Sequence, residues 1–239
     1  MKAFLLAAGQ GTRLRPLTNR LPKCLLPIAG VPMLQLWFDL CRRHGIDEVL
    51  VNVHVHPQAV RDFLRDNGKG LRVHVSEEST LLGSAGTLWA NRDWVAGESA
   101  FWVFYADVLT NANLDEMADL HRRLAQVATL GLYQVPDPQR CGIVTLDPCG
   151  IITEFVEKPA APKSDLAFSG LLLATPALLG CIPAERPADL GFHVLPRLVG
   201  HLAGYRIRDY LIDIGTPENY RAAQHDWPAL ARYHKGIHA

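Results

Sequence analysis

The stretch that decides the fold is an apolar run followed by a glycine loop, Phe4-Leu5-Leu6-Ala7-Ala8-Gly9-Gln10-Gly11-Thr12-Arg13. Residues 3–7 of this run predict a short strand that is buried on both faces. The two glycines let the backbone turn sharply and let its N–H groups approach an anion. Arg13 and, further along the chain, Lys23 add positive charges that suit phosphate oxygens. This order of residues predicts a cradle for a triphosphate.

Two better-known glycine loops fit the stretch poorly. It lacks the Gly-x-x-x-x-Gly-Lys-Ser/Thr pattern of a Walker loop. Leu14 stands in place of the third glycine of a dinucleotide-binding loop, and no acidic residue closes the second predicted strand near Asn52. Because a lone Gly-x-Gly after a strand is more often an ordinary turn, the longer run has to support the triphosphate hypothesis.

Length and composition indicate an ordinary globular chain. It has 239 residues, of which 49% are hydrophobic and 20% are charged. The 24 basic residues balance the 24 acidic ones and form no basic run, so we expect no nucleic-acid partner. No charged-then-apolar leader and no long apolar span stand out, so we expect no membrane partner. The five cysteines form no Cys-x-x-Cys pair, which favours reduced thiols in a cytoplasmic protein.

Strand and helix patterns alternate over the first part of the chain. This alternation predicts an α/β fold with a Rossmann-like, mainly parallel sheet and helices on both faces. The predicted strands are 3–7, 48–53, 71–75, 101–105 and 128–135. The predicted helices are 32–44, 57–65 (ended by Asn67-Gly68), 84–93 and 114–124.

The pattern changes beyond about residue 136. Short strand-like runs at 142–146, 151–155 and 167–173 are separated by proline-containing turns, and helices are predicted at 191–202 and 217–225. We therefore expect a smaller, partly antiparallel lobe. Because no change in composition marks a linker, we predict a single domain, 1–239, with halves at 1–135 and 136–239.

Two aspartates follow apolar strands in the predicted sheet. Asp107 comes after the strand at 101–105, and Asp213 follows Leu211-Ile212. The carboxyl ends of parallel strands form the usual ligand-binding edge of such a sheet. An isolated aspartate there more often only accepts bonds from loop amides. A pair of them suits Mg²⁺, which takes one or two protein carboxylates and fills its other positions with water and phosphate oxygens.

The complete N-terminal run, with Pro22-Lys23, resembles the signature of the sugar-1-phosphate nucleotidylyltransferases, also called nucleotide-sugar pyrophosphorylases. Later segments resemble the same family. They are Leu82-Gly83-Ser84-Ala85-Gly86 with serine in place of a threonine, Cys141-Gly142-Ile143-Val144 with cysteine in place of a larger residue, Glu157-Lys158-Pro159, and Phe168-Ser169-Gly170. The resemblance implies a glycosyltransferase-A-like fold, with a nucleotide-binding first half and a sugar-binding second half.

The resemblance also implies residue roles. It assigns nucleotide binding to Leu6, Ala7, Ala8, Gly9, Gly11, Thr12, Arg13, Lys23, Glu78, Gly83 and Ser84. Sugar-phosphate binding falls to Gly142, Glu157, Lys158, Ser169 and Gly170, and the Mg²⁺ ligands are Asp107 and Asp213. Arg13, Lys23 and Lys158 are the expected catalytic cations.

The implied reaction joins an NTP and a sugar 1-phosphate to give an NDP-sugar and pyrophosphate. The segments 82–86, 189–196 and 213–217 look most like guanylyltransferases for mannose or manno-heptose 1-phosphate, with thymidylyl- and uridylyltransferases as the close alternative. Other classes are a catalytically silent regulator that binds a nucleotide sugar and a nicotinamide-dependent oxidoreductase. The presence of both phosphate cations and both aspartates favours an enzyme. As an assembly of the chain we consider a homodimer.

Overall fold

The computed structural model describes residues 1–67 and 70–228. Within these ranges the strands are β1 Lys2–Leu6, β2 Pro27–Ile28, β3 Val31–Pro32, β4 Glu48–Val53, β5 Arg72–Glu77, β6 Phe101–Tyr105, β7 Val108–Thr110, β8 Ala128–Gln134, β9 Gly142–Leu146, β10 Ile152–Glu157, β11 Leu166–Ala174, β12 Leu202–Arg206 and β13 Leu211–Asp213. The α-helices are α1 Met33–Arg43, α2 Pro57–Asn67, α3 Ser84–Ala90, α4 Leu114–Leu124 and α5 Pro217–Asp226. Gly68, expected to help end α2, lies outside the described residues.

The main sheet has the strand order β10-β9-β11-β6-β1-β4-β5, and β8 pairs with both β11 and β12. β1 lies between β4 and β6 and is parallel to both, and β4 is parallel to β5. β11 runs antiparallel to β6, β8 and β9. The mixed α/β fold with a largely parallel sheet is therefore confirmed. The antiparallel strands of the second half extend the same sheet.

Hydrophobic side chains cover both faces of this sheet. Successive residues of a strand point to opposite faces, so Phe4 and Leu5 of β1 belong to two different core clusters. The cluster around Leu5 contains buried residues of α1, α2 and α4. The cluster around Phe4 contains α3 and the turns between residues 176 and 198. Helices on both faces are thus confirmed, and β1 lies at the centre of the core.

The predicted helix at 191–202 is wrong. A five-residue π-turn, Leu190–Val194, is followed by a short 3-10 turn, Leu195–Leu198, and the chain then enters β12. Pro196 cannot donate a backbone N–H and Gly200 has a left-handed φ of 86°, so a regular helix cannot continue through either residue. β12, missed in the sequence, runs parallel to β8.

A small antiparallel pair, β7 with β13, forms a separate sheet directly after the carboxyl end of β6. Its register places Asp213 opposite Val108, the residue after Asp107. The amide of Ile214 also donates to the carbonyl of Asp107 over 3.0 Å. These backbone contacts bring together two aspartates that are far apart in sequence.

The register of β11 against β8 shifts between Phe168 and Leu172, and Gly170 within this irregularity generates a stability prediction. Gly170 has a φ of +82°, and a methyl group on it would lie 2.9 Å from the Cβ of Tyr105. Gly150 has a similar φ of +85°, but a methyl group there would meet no described atom within 4 Å. Gly150→Ala should lose about 1–2 kcal/mol of unfolding free energy from backbone strain. Gly170→Ala should lose about 1–3 kcal/mol more because of the collision. Urea denaturation measures both, and equal losses would contradict the assigned collision.

Candidate active site

The loops after β1, β4 and β6 meet at one edge of the sheet. The parallel register pairs Leu6 with Asn52 on one side and with Tyr105 on the other, so these three strands end together. A cavity of about 480 Å³ opens there. Its lining is largely apolar and includes the predicted nucleotide residues Leu6, Ala7, Ala8, Gly9, Lys23, Glu78, Gly83 and Ser84. The first cavity thus collects segments predicted to bind a nucleotide.

A second cavity, of about 240 Å³, adjoins the first. All five residues predicted to bind the sugar phosphate line it: Gly142, Glu157, Lys158, Ser169 and Gly170. Tyr105, Asp107, Asp189 and Phe192 line both cavities. The two predicted half-sites are therefore neighbours with a common rim.

An ammonium group joins the two predicted metal ligands. Nζ of Lys23 donates to Oδ2 of Asp107 over 2.6 Å and lies 3.7 Å from Oδ1 of Asp213. Lys23 is buried, with only 8% of its surface exposed. Both aspartates keep part of their surface open to the second cavity. The Lys23 charge therefore compensates two carboxylates that would otherwise repel each other at close range.

Asp213 is held by its own turn. Oδ1 accepts a hydrogen bond from the amide of Gly215 over 2.6 Å, and its carbonyl accepts one from the side chain of Asn219 over 2.7 Å. Burial, and secondarily the charge of Asp107, raise the pKa of Asp213, whereas Lys23 opposes the shift. A cation beside this pair is therefore favoured electrostatically.

The donor set at these aspartates fits a magnesium ion. The described residues contain no group of three or more His, Cys, Asp or Glu side chains arranged to hold a metal. Mg²⁺ does not need such a group, because it keeps several waters and takes phosphate oxygens in addition to one or two carboxylates. Asp107, at the rim of both cavities, and Asp213, in the second cavity, offer oxygen ligands of this type.

Arg13 and the glycine loop lie beside this charged cluster. Arg13 and Thr12 are exposed. A methyl group on Gly215 would lie 3.0 Å from both Nη2 of Arg13 and Nζ of Lys23, so the two cations share one neighbour. Gly11 has a left-handed φ of 64°, and its carbonyl accepts a hydrogen bond from Thr18 over 2.8 Å. The charged ends of Arg13 and Lys23 thus both lie beside Gly215.

A buried polar network that the sequence did not reveal supports the first cavity. Oδ1 of Asn52 accepts a hydrogen bond from the amide of Ala7 over 2.6 Å. Nδ2 of Asn52 donates to Oε1 of Glu78 over 2.8 Å and to the hydroxyl of Thr87 over 3.0 Å. Thr87 donates to Oε1 of Glu78 over 2.5 Å, and the Leu82 amide donates to Oε2 over 3.1 Å. Asn52 thereby fixes the glycine loop to the rest of the cavity wall.

This network bears on the role of Glu78. Only 6% of Glu78 is exposed, and both its carboxylate oxygens already accept hydrogen bonds from the protein. Its predicted contact with a nucleotide base stays a prediction. The observed contacts give Glu78 a second task, which is to position Asn52. The sequence did offer one sign of this network, because Asn52 places a side-chain amide near the carboxyl end of a buried strand.

Gly83 and Ser84 connect the first cavity to the segment at 187–192. Gly83 has a φ of 79°, and a methyl group on it would collide with the carbonyl of Ala188. Oγ of Ser84 donates to Oδ2 of Asp189 over 2.8 Å and accepts from the Leu190 amide over 2.8 Å. The sequence singled out the segment 189–196 only for its likeness to guanylyltransferases, and the contact of Asp189 with Ser84 was missed because the two residues lie more than 100 positions apart.

The Glu157 carboxylate lies where glycines leave room for it. A methyl group on Gly142 would lie 2.7 Å from Oε2 of Glu157, and one on Gly191 would collide with the same oxygen. Lys158 follows with a left-handed φ of 51°, and its amide donates to the carbonyl of Cys141 over 2.9 Å. A non-glycine residue in this conformation is strained, a feature concentrated at functional sites.

Ser169 and Gly170 contribute differently from each other. Oγ of Ser169 accepts a hydrogen bond from the Leu171 amide over 3.2 Å and faces Gly131 of β8. Only 3% of Ser169 is exposed, so its sugar contact stays a prediction. Gly170 lies against the Tyr105 ring and lets β11 approach β6 closely.

The position of Glu157 generates a prediction about pH. Burial raises the pKa of Glu157, and the charge of Asp189 adds to this, whereas Lys158 acts in the opposite direction. A carboxyl whose pKa in the folded protein lies above its ordinary value of 4.5 holds its proton more tightly in the folded than in the unfolded state. The free energy of unfolding therefore falls as the pH rises from 4.5 through the folded-state pKa. Glu157→Gln should therefore unfold less readily than the parent protein at neutral and mildly alkaline pH. The gain should disappear below pH 4.5.

Thermal unfolding over a pH series measures this effect. Glu154→Gln is the control, because the Glu154 carboxylate pairs with Lys163 over 2.7 Å at the surface and its loss should bring no gain. A gain for Glu157→Gln that is independent of pH would contradict the electrostatic explanation.

Comparisons with known proteins agree with this geometry. The family profile described as nucleotidyl transferase matches residues 2–229. Mannose-1-phosphate guanylyltransferase 1 of Arabidopsis thaliana is 31% identical over 227 residues, covering 92% of this chain and 63% of that protein. UTP–glucose-1-phosphate uridylyltransferase of Synechocystis is 32% identical over 238 residues, covering 92% and 61%. The chain thus spans about 61–63% of the length of these curated relatives.

Solved structures show the same fold. A putative glucose-1-phosphate thymidylyltransferase from Bacillus anthracis has a TM-score of 0.84 and 26% identity, and the match covers 97% of this chain and 95% of that one. HddC from Yersinia pseudotuberculosis, complexed with GMP-PN, has a TM-score of 0.80 with 22% identity, covering 95% and 99%, which supports the fold alone.

No helix within the described ranges is long and apolar enough to cross a membrane. The motifs, the sheet and the profile that matches residues 2–229 all lead to one assignment. The chain belongs to the nucleotidyl transferase family.

Proposed function

We propose that this chain transfers a nucleotidyl group from an NTP to a sugar 1-phosphate, releasing pyrophosphate. The observation that carries the proposal is the common rim of the two cavities, at which Asp107 lies with its Lys23 partner. A triphosphate bound in the first cavity and a sugar phosphate bound in the second would meet at this rim. No other pair of described cavities brings together both sets of predicted residues.

The chemistry requires alignment of two anions more than it requires proton transfer. An oxygen of the sugar phosphate, already ionised at neutral pH, attacks the α-phosphorus. The bond from that phosphorus to the bridging oxygen of the β-phosphate breaks, and pyrophosphate leaves with the electron pair. No general base is needed, so catalysis consists of positioning and of stabilising charge.

The chain's own cations carry out the charge stabilisation. Arg13 and Lys23 face the leaving pyrophosphate, on which charge builds up in the transition state. Lys158 neutralises the attacking sugar phosphate, since two unscreened anions would repel each other. Glu157 accepts hydrogen bonds from sugar hydroxyls beside it. The shared neighbour of Arg13 and Lys23, and the position of Lys158 in the second cavity, support this division.

Members of this family typically depend on a divalent metal ion. We assign Mg²⁺ to Asp107 and Asp213, whose oxygens suit it. When bound, Mg²⁺ supplies positive charge against phosphate oxygens.

For the base and the sugar we propose guanine with mannose or manno-heptose 1-phosphate, and the similarity to a mannose-1-phosphate guanylyltransferase supports this choice. The similarity to a glucose-1-phosphate uridylyltransferase keeps thymidylyl and uridylyl transfer as the alternative. A screen for pyrophosphate release over the common NTPs and a panel of sugar 1-phosphates tests the proposal. Turnover with no pair would favour the catalytically silent regulator. The homodimer and the cytoplasmic location stay predictions.

The metal assignment gives a mutational prediction. Asp107→Asn and Asp213→Asn should each lower Mg²⁺-dependent turnover by roughly a hundredfold or more, since electrostatic groups at a reacting centre have effects of this size. Asp93→Asn is the matched control, because Asp93 is 93% exposed and lies outside both cavities. Steady-state rates over a Mg²⁺ titration measure the loss. Full activity of either variant at saturating Mg²⁺ would remove that residue from the metal site.

A further inference from the structure

Phe192 is a large apolar side chain that is unusually exposed. Of its surface, 53% is open, more than for any other large apolar side chain in the described part of the chain. It does not lie on a broad apolar surface but at the rim shared by both cavities. A single exposed phenyl ring at the junction of two ligand cavities calls for a functional explanation.

The ring of Phe192 lies beside the Lys158 ammonium. Nζ of Lys158 lies 5.4 Å from the centre of the ring, within the range of about 6 Å over which a cation is attracted to an aromatic face. In residues 1–67 and 70–228 the Lys158 ammonium makes no hydrogen bond or ion pair, although its charge interacts with that of the Glu157 carboxylate. Within the described part of the chain, the phenyl ring is thus the direct contact of this ammonium.

The backbone of Phe192 is fixed from the nucleotide side. Oδ1 of Asp189 accepts hydrogen bonds from the amides of Gly191 and Phe192, over 2.8 and 3.3 Å. Its Oδ2 accepts the hydroxyl of Ser84 over 2.8 Å. The π-turn that carries Phe192 begins at this cap, and such turns are frequent at functional sites. The ring is therefore carried by a turn that hydrogen bonds hold in place.

An aromatic partner suits a lysine that has to bind a phosphate. A carboxylate partner would neutralise the ammonium and occupy its N–H donors, whereas a ring face orients the cation and leaves the three donors available. We propose that Phe192 is a positioning residue, whose ring holds Lys158 ready for the phosphate of the sugar 1-phosphate. This inference rests on the proposed function, because it names the phosphate that Lys158 meets.

Three variants separate the ring face from apolar bulk. Phe192→Leu keeps an apolar side chain but removes the π face, and it should raise KM for the sugar 1-phosphate roughly 3- to 30-fold. The KM for the NTP should change little. Phe192→Tyr keeps the face and should behave like the parent protein. Trp89→Leu is the control: its ring carries the Arg92 guanidinium at 4.5 Å but lines neither cavity, so its kinetics should not change.

A spectroscopic measurement tests the contact without turnover. Reductive methylation with carbon-13 labels the lysines, and Lys158→Arg identifies the Lys158 signal. Its methyl protons should resonate upfield in the parent protein and in Phe192→Tyr because of the ring current, but not in Phe192→Leu. Titration with mannose 1-phosphate should then need a higher concentration in Phe192→Leu to shift the same signal.

The outcomes distinguish this inference from the proposed function. If the parent protein releases pyrophosphate but Phe192→Leu matches it in KM and in the Lys158 signal, the positioning role is refuted and the function stands. Equal defects in Phe192→Leu and Phe192→Tyr would also refute it, because shape rather than the ring face would then matter. If the parent protein shows no turnover, the function fails, and the Lys158 signal still decides whether the ring holds the ammonium.

Discussion

The contact of Lys23 with two aspartates is the interaction on which the site depends. Two carboxylates reach the same point because β13, which ends at Asp213, pairs with β7, which begins directly after Asp107. Their mutual repulsion would separate them if no cation lay nearby. Lys23, on the segment after the glycine loop, lies 2.6 Å from one and 3.7 Å from the other. Removing one partner leaves the remaining charges without their compensation, an effect that solvent moderates because both aspartates are partly exposed. The loop, the sheet edge and the metal ligands are therefore one electrostatic unit.

A second set of contacts couples the two cavities across this unit. Ser84 bonds to Asp189, and Asp189 caps the turn that presents Phe192 to Lys158. A nucleotide that contacts the Ser84 loop and a sugar phosphate that contacts Lys158 would therefore meet the same hydrogen-bonded wall. A shared wall favours alignment of the reacting groups, which is the principal requirement of phosphate chemistry.

Local pattern was sufficient to predict the strands at the centre of the sheet and the loops that follow them. Buried parallel strands are continuous apolar runs, and Asp107 follows such a run. Asp213 instead ends a short strand of the separate antiparallel pair, and the apolar residues Leu211 and Ile212 before it made it recognisable in the sequence. Contacts between distant segments could not be recognised in this way. Asn52 contacts Glu78 and Thr87 only in the folded chain. The role of Phe192 likewise depends on Asp189, which caps its turn and accepts a hydrogen bond from the distant Ser84. The helix expected at 191–202 does not form, although the run is apolar, because Pro196 lacks a backbone N–H and Gly200 adopts a left-handed conformation.

Calorimetric binding of the NTP without a sugar phosphate is the most direct test of a site with two separate anion cavities. Lys158→Ala should bind the NTP nearly as well as the parent protein does, whereas Arg13→Ala should bind it clearly less well. Lys163→Ala, which removes an exposed lysine paired with Glu154, is the control for Lys158. In the presence of a sugar 1-phosphate, Lys158→Ala should lose roughly ten- to a hundredfold in sugar-phosphate affinity, the usual value of a charged hydrogen bond. If Lys158→Ala loses NTP binding as severely as Arg13→Ala, the two cavities do not divide the substrates and the account is contradicted.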